Sequence, residues 1–566
     1  MVISVTAFAA PEGRKFVACA WEFASAWPRD FVAAADEFDK TAIDGVSIFL
    51  KGYDKDGNLI GMRDIFGVEW TYEAFAPLIP DMREMTRHRA FRECFCSSFR
   101  SPRKVDGRIS WENDEVWARV ARNMRVAAHV AREGGFRGFT IDCEDYGRVR
   151  QFVRHPDEKP FEELSAIARR RGAEVFGGAF EEFPDITILS FWFLSMVPDW
   201  YDTPDVAGFA AARGDLWPSF VNGILDVLPP TAKLIDGDEN GYRYEAAKNS
   251  FYIKADHIRR TLLPLVAPEN REKYRRQMQV SFGQYLDMYT HPTNTLWSFP
   301  PLDGSRLERF RVNLAQAAAV ADEYVWLWGE RFHHVNWATG YVDHATCYKG
   351  TWDDRLPGLT PMLKFVKDPQ LFARERMAEL EFLGRLVNLV SNDVDKAGAD
   401  TGVPKHGTWR NGNDGSQGSF SIDPSFGENG GPSLCATGSL SGCFTITIRC
   451  IRPGEYYAVK ASAFGRGVAA GISWKNAKRQ YVGRAIKFAF DEDAGESGWR
   501  HFLLPVHIPA DAATMTLTLD VSLADGEKAW FDNVGVFKLH DAPGEELDPK
   551  VFELVDKPDA KATEIK

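Results

Sequence analysis

The stretch Gly138-Phe-Thr-Ile-Asp-Cys-Glu144 is a short apolar run that ends in acidic residues, a pattern typical of a buried strand that reaches the edge of a sheet. Similar β-rich runs recur as far as residue 330, and from residue 45 onward they begin every 46 to 48 residues. Together they predict eight strands, at residues 16–23, 45–51, 92–99, 138–144, 186–194, 232–236, 278–282 and 324–330.

Apolar residues at helical spacing fill the gaps between these strands. One helical face combines Val116, Val120, Met124 and Ala127, and comparable faces occur at residues 31–38 and 307–317. Eight strands, each followed by a helix, predict the α/β class and a (β/α)8 TIM barrel over residues 1–395. A doubly wound open sheet is the alternative, but the glycine-rich phosphate-binding turn that usually follows its first strand is missing.

The pattern changes after a last predicted helix, whose apolar face runs from Ala373 to Val390. Residues 396–417 are rich in Gly, Asn, Asp and Ser, which predicts a linker. Residues alternate in polarity at 443–449, 456–463, 514–522 and 529–534. We therefore expect an all-β sandwich over residues 418–566, ending in a charged tail.

Composition narrows the classes of partner. Lys plus Arg number 68 against 80 Asp plus Glu, so the net charge of −12 argues against a nucleic-acid partner. The sequence has no run of about 18 apolar residues, so no membrane span is predicted. Ala7-Phe8-Ala9 is similar to a signal-peptidase site but lacks a basic region before it, so a secreted or periplasmic protein with a truncated signal peptide and a cytoplasmic protein both stay open. The sequence gives no oligomeric state.

Acidic residues end three of the predicted strands. Asp142 and Glu144 end the fourth strand and, two residues apart, point to the same side. Glu239 follows the sixth strand, and Glu330 ends the eighth. Because the carboxyl ends of barrel strands meet at one face, we expect these side chains to converge there. Paired carboxylates, one protonated and one ionised, are what cleavage of a glycosidic bond requires, so a glycoside hydrolase of poly- or oligosaccharides is the leading hypothesis.

Capping or loop support is the commoner role of a single acidic residue at a strand end. The convergence of several such residues favours catalysis for Asp142, Glu144, Glu239 and Glu330. For Glu22 and Asp287, at the ends of the first and seventh strands, a structural role is favoured.

Aromatic residues near the same strand ends are candidates for sugar binding in a chain that has 17 Trp and 16 Tyr. Trp328 is predicted as an apolar floor under a sugar ring, although a role in the core is equally compatible with its position. The predicted wall residues are Tyr146, Trp192, Tyr242 and Tyr285, and the predicted hydrogen-bonding residues are Gln284, Arg331 and His333. No catalytic cofactor is predicted, and His333-His334 lacks partners at zinc-ligand spacing.

The segment Gly138–Glu144 resembles the fourth-strand signature of family 18 chitinases and related barrel glycosidases. The resemblance implies that Glu144 is the general acid and that Asp142 supports it. Among the other acidic strand ends, we assign Glu239 as nucleophile or base and Glu330 as the alternate. Thr140 and Cys143 stand where that signature has Asp and Trp, so the likeness supports the glycosidase superfamily rather than a chitinase. The strand-seven nucleophile of retaining barrel enzymes does not transfer, because residues 283–287 contain no Glu.

The C-terminal region is similar to jelly-roll carbohydrate-binding modules in the order of Ile451-Arg-Pro-Gly-Glu-Tyr-Tyr457 and Trp530-Phe-Asp-Asn-Val534. That similarity implies a structural Ca²⁺ at Asp532. Trp474 and Trp499 are expected in the core of the sandwich.

Two other functions remain open from the sequence. One is a noncatalytic carbohydrate-binding barrel. The other is a polysaccharide lyase acting on uronates, in which Arg331 would neutralise the substrate carboxylate and His333 would serve as base.

Overall fold

A computed structural model describes residues 13–102, 107–145, 149–197, 205–293, 295–338, 341, 344, 346–390, 407–411, 413, 415, 417–449, 451–491 and 497–546. The contacts divide the chain into two compact units, one spanning Gly13–Lys367 and the other Asp368–Glu545. The signal-like Ala7-Phe8-Ala9 and most of the predicted linker lie outside the described residues.

The described part of the first unit contains one parallel sheet of nine strands. They are β1 Lys15–Ala20, β2 Gly45–Ile48, β3 Phe95–Arg100, β4 Gly138–Asp142, β5 Thr187–Ser190, β6 Lys233–Asp236, β7 Met278–Val280, β8 Gly283–Tyr285 and β9 Tyr324–Gly329. Their spatial order is β8-β9-β1-β2-β3-β4-β5-β6-β7. All eight predicted strand positions are therefore occupied.

The seventh predicted strand differs from expectation because it is split at residues 281–282. Its first half, β7, pairs with β6, whereas its second half, β8, pairs with β9. The hydrogen-bonded order is consequently an open ladder of nine strands, where the sequence spacing predicts a closed ring of eight.

Helices follow most of these strands. Asn113 caps the long helix after β3 by accepting a hydrogen bond from the Val116 backbone N–H at 3.2 Å, and the predicted apolar residues Val120, Met124 and Ala127 are fully buried. The helices are α1 Pro28–Ala33, α2 Ala35–Lys40, α3 Tyr72–Phe75, α4 Ile79–Met85, α5 Asp114–Glu133, α6 Phe161–Glu182, α7 Val206–Arg213, α8 Trp217–Val227, α9 Ser250–Asp256, α10 Arg271–Gln277, α11 Arg306–Val320, α12 Trp352–Arg355 and α13 Leu359–Lys367. No helix in the described part of the chain is both long and apolar enough to cross a membrane.

Ion pairs hold the amino-terminal ends of the strands. Lys15 Nζ lies 3.1 Å from Glu93 Oε1 and 2.8 Å from Glu323 Oε1, and Lys233 Nζ lies 2.7 Å from the other oxygen of Glu323. This network ties β1 and β6 to the residue that precedes β9, so it stabilises the end of the sheet opposite to the candidate site.

The second unit is an all-β sandwich with one helix, as its alternating sequence predicts. The helix is α14 Pro369–Phe382, and the strands are β10 Gly407–Arg410, β11 Ser419–Asp423, β12 Ser433–Thr437, β13 Gly442–Ile448, β14 Tyr456–Phe464, β15 Val468–Lys475, β16 Tyr481–Phe488, β17 Arg500–His507, β18 Thr514–Val521 and β19 Lys528–His540. Within the described residues they form two five-stranded antiparallel sheets, β10-β13-β18-β15-β16 and β11-β12-β19-β14-β17. Trp474 and Trp499 are buried, as expected.

Helix α14 belongs to the second unit, although the sequence analysis assigns its residues to the barrel region. Gln370 donates to the Leu503 carbonyl at 2.9 Å and Arg376 donates to the Leu539 carbonyl at 2.8 Å, which attaches the helix to β17 and β19. The helix also ends at Phe382, before the predicted apolar face does. The seven cysteines that the structure describes are free and buried.

Candidate active site

Carboxylates from the ends of three strands meet around Glu239. Burial raises the pKa of Glu239 well above its ordinary value, and the negative charges of Asp142, Glu144 and Glu330 raise it further, while Arg63 opposes them. Glu239 Oε2 is buried and has no hydrogen-bond partner among the described residues. We call Asp142, Glu144, Glu239 and Glu330 the carboxylate cluster, and these are the four residues that the sequence predicts for catalysis.

A tight turn delivers Glu239 to the cluster. After β6 the chain turns through Gly237 and Asp238, whose φ of +33° lies in the left-handed region, into a short 3-10 helix, Glu239–Arg243. A Cβ on Gly237 would lie 2.5 Å from the Ser190 carbonyl oxygen and 2.9 Å from Trp326 Nε1, so the turn requires glycine. The Glu239 N–H donates to the Phe191 carbonyl at 3.0 Å, which fixes the start of this helix.

Asp142 is held by a cation and in turn holds Glu144. Its Oδ2 accepts a hydrogen bond from Arg63 Nη2 at 2.6 Å, and its Oδ1 accepts one from the Glu144 backbone N–H at 3.0 Å. Burial raises the pKa of Asp142, and Arg63 acts against that rise. The Arg63 guanidinium also lies over the rings of Phe49 and Trp21, at 5.1 and 5.7 Å. Arg63 carried no signal in the sequence, because it lies in the connection between β2 and β3, where no strand was predicted; it follows a short antiparallel hairpin of Lys51–Tyr53 and Leu59–Gly61.

Glu330 accepts a side-chain hydrogen bond from Trp328, whose Nε1 donates to Glu330 Oε1 at 3.1 Å. Burial and the charges of Asp287 and Glu330 raise the pKa of the neighbouring Tyr285 phenol. The Glu330 backbone N–H donates to Asp287 Oδ2 at 2.8 Å. Asp287 is fully buried, and burial together with the charge of Glu330 raises its pKa to about 8. Asp287 thus anchors the backbone of Glu330, in keeping with the structural role favoured for it.

An aromatic layer accompanies the cluster. Phe191 stacks on Trp326 at 4.3 Å, and Tyr242 lies 5.4 Å from Trp326 and 5.1 Å from Tyr285. Trp326 is completely buried, whereas Trp328 keeps 8% of its surface exposed and meets Phe191 edge-on at 6.0 Å. Three of the predicted sugar-binding residues, Tyr242, Tyr285 and Trp328, therefore lie with the cluster.

The other predicted binding residues are placed differently. Gln284 pairs with Leu327 on the opposite face of the sheet from Tyr285, is 1% exposed and donates to the Gly283 carbonyl, so the structure does not bring it to the cluster. Trp192 is half-buried, and its carbonyl accepts a hydrogen bond from the Ser190 hydroxyl. Arg331 Nε lies 3.7 Å from Asp287 Oδ1. Tyr146 lies outside the described residues.

His333 contacts Glu22 rather than the cluster. Glu22 is 1% exposed, and its carboxylate contacts the Nδ1 atoms of His333 and His334 and accepts from the indole N–H of Trp337 at 2.8 Å. The two imidazoles outweigh burial and lower the pKa of Glu22 to about 2. Glu22 thus fastens the segment after β9 to the end of β1, as its predicted structural role requires.

A cavity of about 180 Å³ lies beside the end of β4. It is lined by Cys143, Asp145, Phe152, Met196, Asp215 and Trp217, among others. Cys143 and Asp145 alternate along the chain with Asp142 and Glu144, so this cavity is distinct from the carboxylate cluster.

Asp532, the predicted calcium ligand, organises a turn in the sandwich. Its Oδ2 accepts the Glu428 backbone N–H at 2.8 Å and its Oδ1 accepts the Asn533 N–H at 2.6 Å. In the described part of the chain, no three His, Cys, Asp or Glu side chains are grouped so as to hold a metal ion. The calcium role stays a prediction.

Comparisons with known proteins give no family. No family model matches the chain, and no curated protein matches it significantly. Among solved structures, the enzymatically active domain of tailspike protein 4 of bacteriophage CBA120 is 17% identical over 27% of this chain and 21% of its own, with a TM-score of 0.23. The CBM22-1 xylan-binding domain of Paenibacillus barcinonensis Xyn10C is 11% identical over 24% of this chain and 88% of its own, with a TM-score of 0.19. The module TmCBM61, solved with β-1,4-galactotriose, is 12% identical over 27% of this chain and 99% of its own, with a TM-score of 0.20. With TM-scores this low, function has to be argued from the site itself.

Proposed function

We propose that the chain is a glycoside hydrolase that cleaves a poly- or oligosaccharide by acid/base chemistry at the carboxylate cluster. The observation that carries this proposal is Glu239, whose carboxyl oxygen Oε2 is buried and has no hydrogen-bond partner among the described residues, while the negative charges of three carboxylates at the ends of two other strands act on it. In this proposal the sheet acts as a (β/α)8 barrel whose seventh strand is split into β7 and β8.

The electrostatics favour Glu239 as the general acid. Cleavage needs one carboxyl group that keeps its proton near neutral pH, and burial among like charges provides that condition for Glu239. The resemblance to family 18 chitinases instead implies Glu144 as the acid. We propose the exchange of these roles, with Glu144 as nucleophile or base and Glu330 as its alternate. Asp142 positions Glu144 through its hydrogen bond to the Glu144 backbone N–H.

Arg63 and Trp328 support the ionised partners. Hydrogen bonds and nearby cations stabilise carboxylates, and Glu330 accepts the indole N–H of Trp328 while Asp142 accepts the guanidinium N–H of Arg63. The aromatic layer would supply the apolar surface on which a sugar ring packs.

The sandwich is proposed as a carbohydrate-binding accessory unit, as its resemblance implies. It carries aromatic side chains on its surface, with Trp409 and Tyr481 exposed by 55% and 73%. A secreted or periplasmic location is proposed with it.

A uronate lyase is less favoured. Arg331 already lies beside Asp287 and His333 beside Glu22, and the surrounding carboxylates would repel a uronate. A measurement of turnover distinguishes a hydrolase from a noncatalytic carbohydrate-binding barrel, because the barrel would bind the sugar without releasing product.

The test is a screen of the full chain against neutral, amino and acidic polysaccharides and oligosaccharides, followed by reducing-end release. Glu239→Gln and Glu144→Gln are expected to lower turnover at least about 100-fold, since a general acid or base contributes that much. Glu115→Gln, an exposed glutamate at the start of α5, is the matched control and is expected to keep full activity. Binding without product release would replace the hydrolase by the noncatalytic barrel, and an unsaturated product absorbing in the ultraviolet would replace it by the lyase.

A further inference from the structure

A partly exposed tryptophan is fixed at the rim of the site. Trp297, in the segment after β8, has 43% of its surface in solvent. Its carbonyl lies 2.7 Å from Nδ1 of the buried His291, and the next residue but one, Phe299, is buried and donates its N–H to the Met288 carbonyl at 2.9 Å. The backbone around Trp297 is therefore held in a defined position, while part of the apolar surface of the residue faces water.

The neighbours of the indole connect it to the carboxylate cluster. The Tyr285 ring meets it edge-on at 6.1 Å, and Tyr285 pairs in register with Trp328, whose indole N–H donates to Glu330 at 3.1 Å. The charge of Glu330 adds to burial in raising the pKa of the Tyr285 phenol. The guanidinium carbon of Arg243 lies 4.0 Å from the centre of the indole ring. Arg243 is the last residue of the short helix that begins with Glu239. Trp297 is thus one aromatic ring away from Glu330 and one helical turn away from Glu239.

We propose that Trp297 and Arg243 form a binding subsite for a second sugar ring of the substrate. This ring would lie next to the sugar whose glycosidic bond is cleaved at the carboxylate cluster. This inference rests on the proposed function and restricts it to substrates with at least two linked sugars. An indole face offers the flat apolar surface on which the C–H face of a pyranose packs, and aromatic pairs and contacts of this kind add binding beyond buried area alone. The guanidinium orients the indole by a cation–π contact and offers N–H donors to hydroxyl oxygens.

The proposed occupant is a linked sugar chain, because the indole lies next to the carboxylate cluster. A free monosaccharide bound at Glu330 would not reach past Tyr285 to the indole, whereas a linked chain passes from one ring position to the next. The interaction is then made in the transition state as well as in the bound substrate, so it affects kcat/KM for long substrates.

The experiment compares substrates that differ only in length. The kcat/KM values of wild type, Trp297→Ala and Trp297→Phe are measured on one sugar series, from a chromogenic monosaccharide glycoside to oligosaccharides of several units. The ratio of kcat/KM for the longest to the shortest substrate is expected to fall about tenfold in Trp297→Ala and less in Trp297→Phe. Leu296→Ala, which changes the adjacent side chain that is 91% exposed, is the matched control and is expected to leave the ratio unchanged.

The outcomes separate this inference from the proposed function. If the wild type cleaves the series and the ratio is unchanged in both Trp297 variants, the subsite is wrong and the hydrolase stands. If the wild type cleaves no glycoside in the screen, both proposals are overturned. Thermal unfolding of each variant, expected to match wild type, ensures that a lower ratio reports binding rather than folding.

Discussion

Replacing Glu239 by Gln should lower catalytic activity and raise the stability of the fold. The amide has the shape of the protonated carboxyl group but has no acidic proton to give, so kcat is expected to fall at least about 100-fold with little change in KM. Its N–H groups would meet the negative charges of Asp142, Glu144 and Glu330 favourably.

The effect on stability follows from the direction of the pKa shift. Because the folded state raises the pKa of Glu239 above its ordinary value of 4.5, it binds the proton more tightly than the unfolded chain does. The contribution of Glu239 to stability is therefore fully present below about pH 4.5, and about 1.4 kcal/mol of it is lost for each pH unit up to the raised pKa. Glu239→Gln has no such loss, so its advantage in free energy of unfolding should grow by the same amount per pH unit.

Urea unfolding of both proteins between pH 4.5 and 8, followed by tryptophan fluorescence, measures this difference. The control Glu115→Gln should give a difference that does not change with pH. A constant difference for Glu239→Gln as well would mean that the folded state does not raise the pKa of Glu239. Retained turnover would remove Glu239 as the acid.

Two further substitutions test neighbours of Glu239, and a third tests Glu22 at the end of β1. Glu144→Gln should lower turnover at least about 100-fold, and the anomer released by the wild type, followed by NMR, reports retention if Glu144 is a nucleophile and inversion if it is a base. Arg63→Met keeps the aliphatic contact with the rings of Phe49 and Trp21 but removes the cation that lowers the pKa of Glu239. The alkaline limb of the pH–rate profile should therefore move to higher pH, and an unmoved limb would contradict this reasoning. Glu22→Gln should cost about 3 kcal/mol of stability at pH 6, as the fall of its pKa from 4.5 to about 2 implies; this contribution is present above about pH 4.5 and lost as pH falls towards 2, so unfolding at pH 6 and pH 3 should give a large and a small difference.

The strand positions were predictable because parallel strands are buried on both faces and stand out as apolar runs at regular spacing. The split of the seventh strand was not, since it depends on which neighbour each half pairs with: Ser281 N–H donates to the Asp236 carbonyl, while Trp326 N–H donates to the Phe282 carbonyl. The place of α14 was equally hidden, because its apolar spacing is satisfied by any sheet against which it packs.

The site was predictable where topology alone decides position. Asp142, Glu239 and Glu330 meet because the ends of their strands meet. Arg63 has no such signal, since its position is set by the conformation of a long connection. The position of Gln284 was predictable from strand geometry. Side chains alternate along a strand, so if Tyr285 faces the cluster, its neighbour Gln284 has to face away.

Glu22 and Glu239 show why residue type and strand end do not by themselves identify a catalytic acid. Both are glutamates that follow a strand of the same sheet, and burial opposes the charge of both. Glu22 is met by imidazole and indole donors, which lower its pKa to about 2 and make it a fixed anion. Glu239 is met by three carboxylates and has an oxygen without a partner among the described residues, so burial and these charges raise its pKa. The partners that the fold supplies, rather than the carboxyl group or its place on the strand, therefore decide the direction in which the pKa of each glutamate moves, and under the proposed function only Glu239 would give a proton to a leaving oxygen.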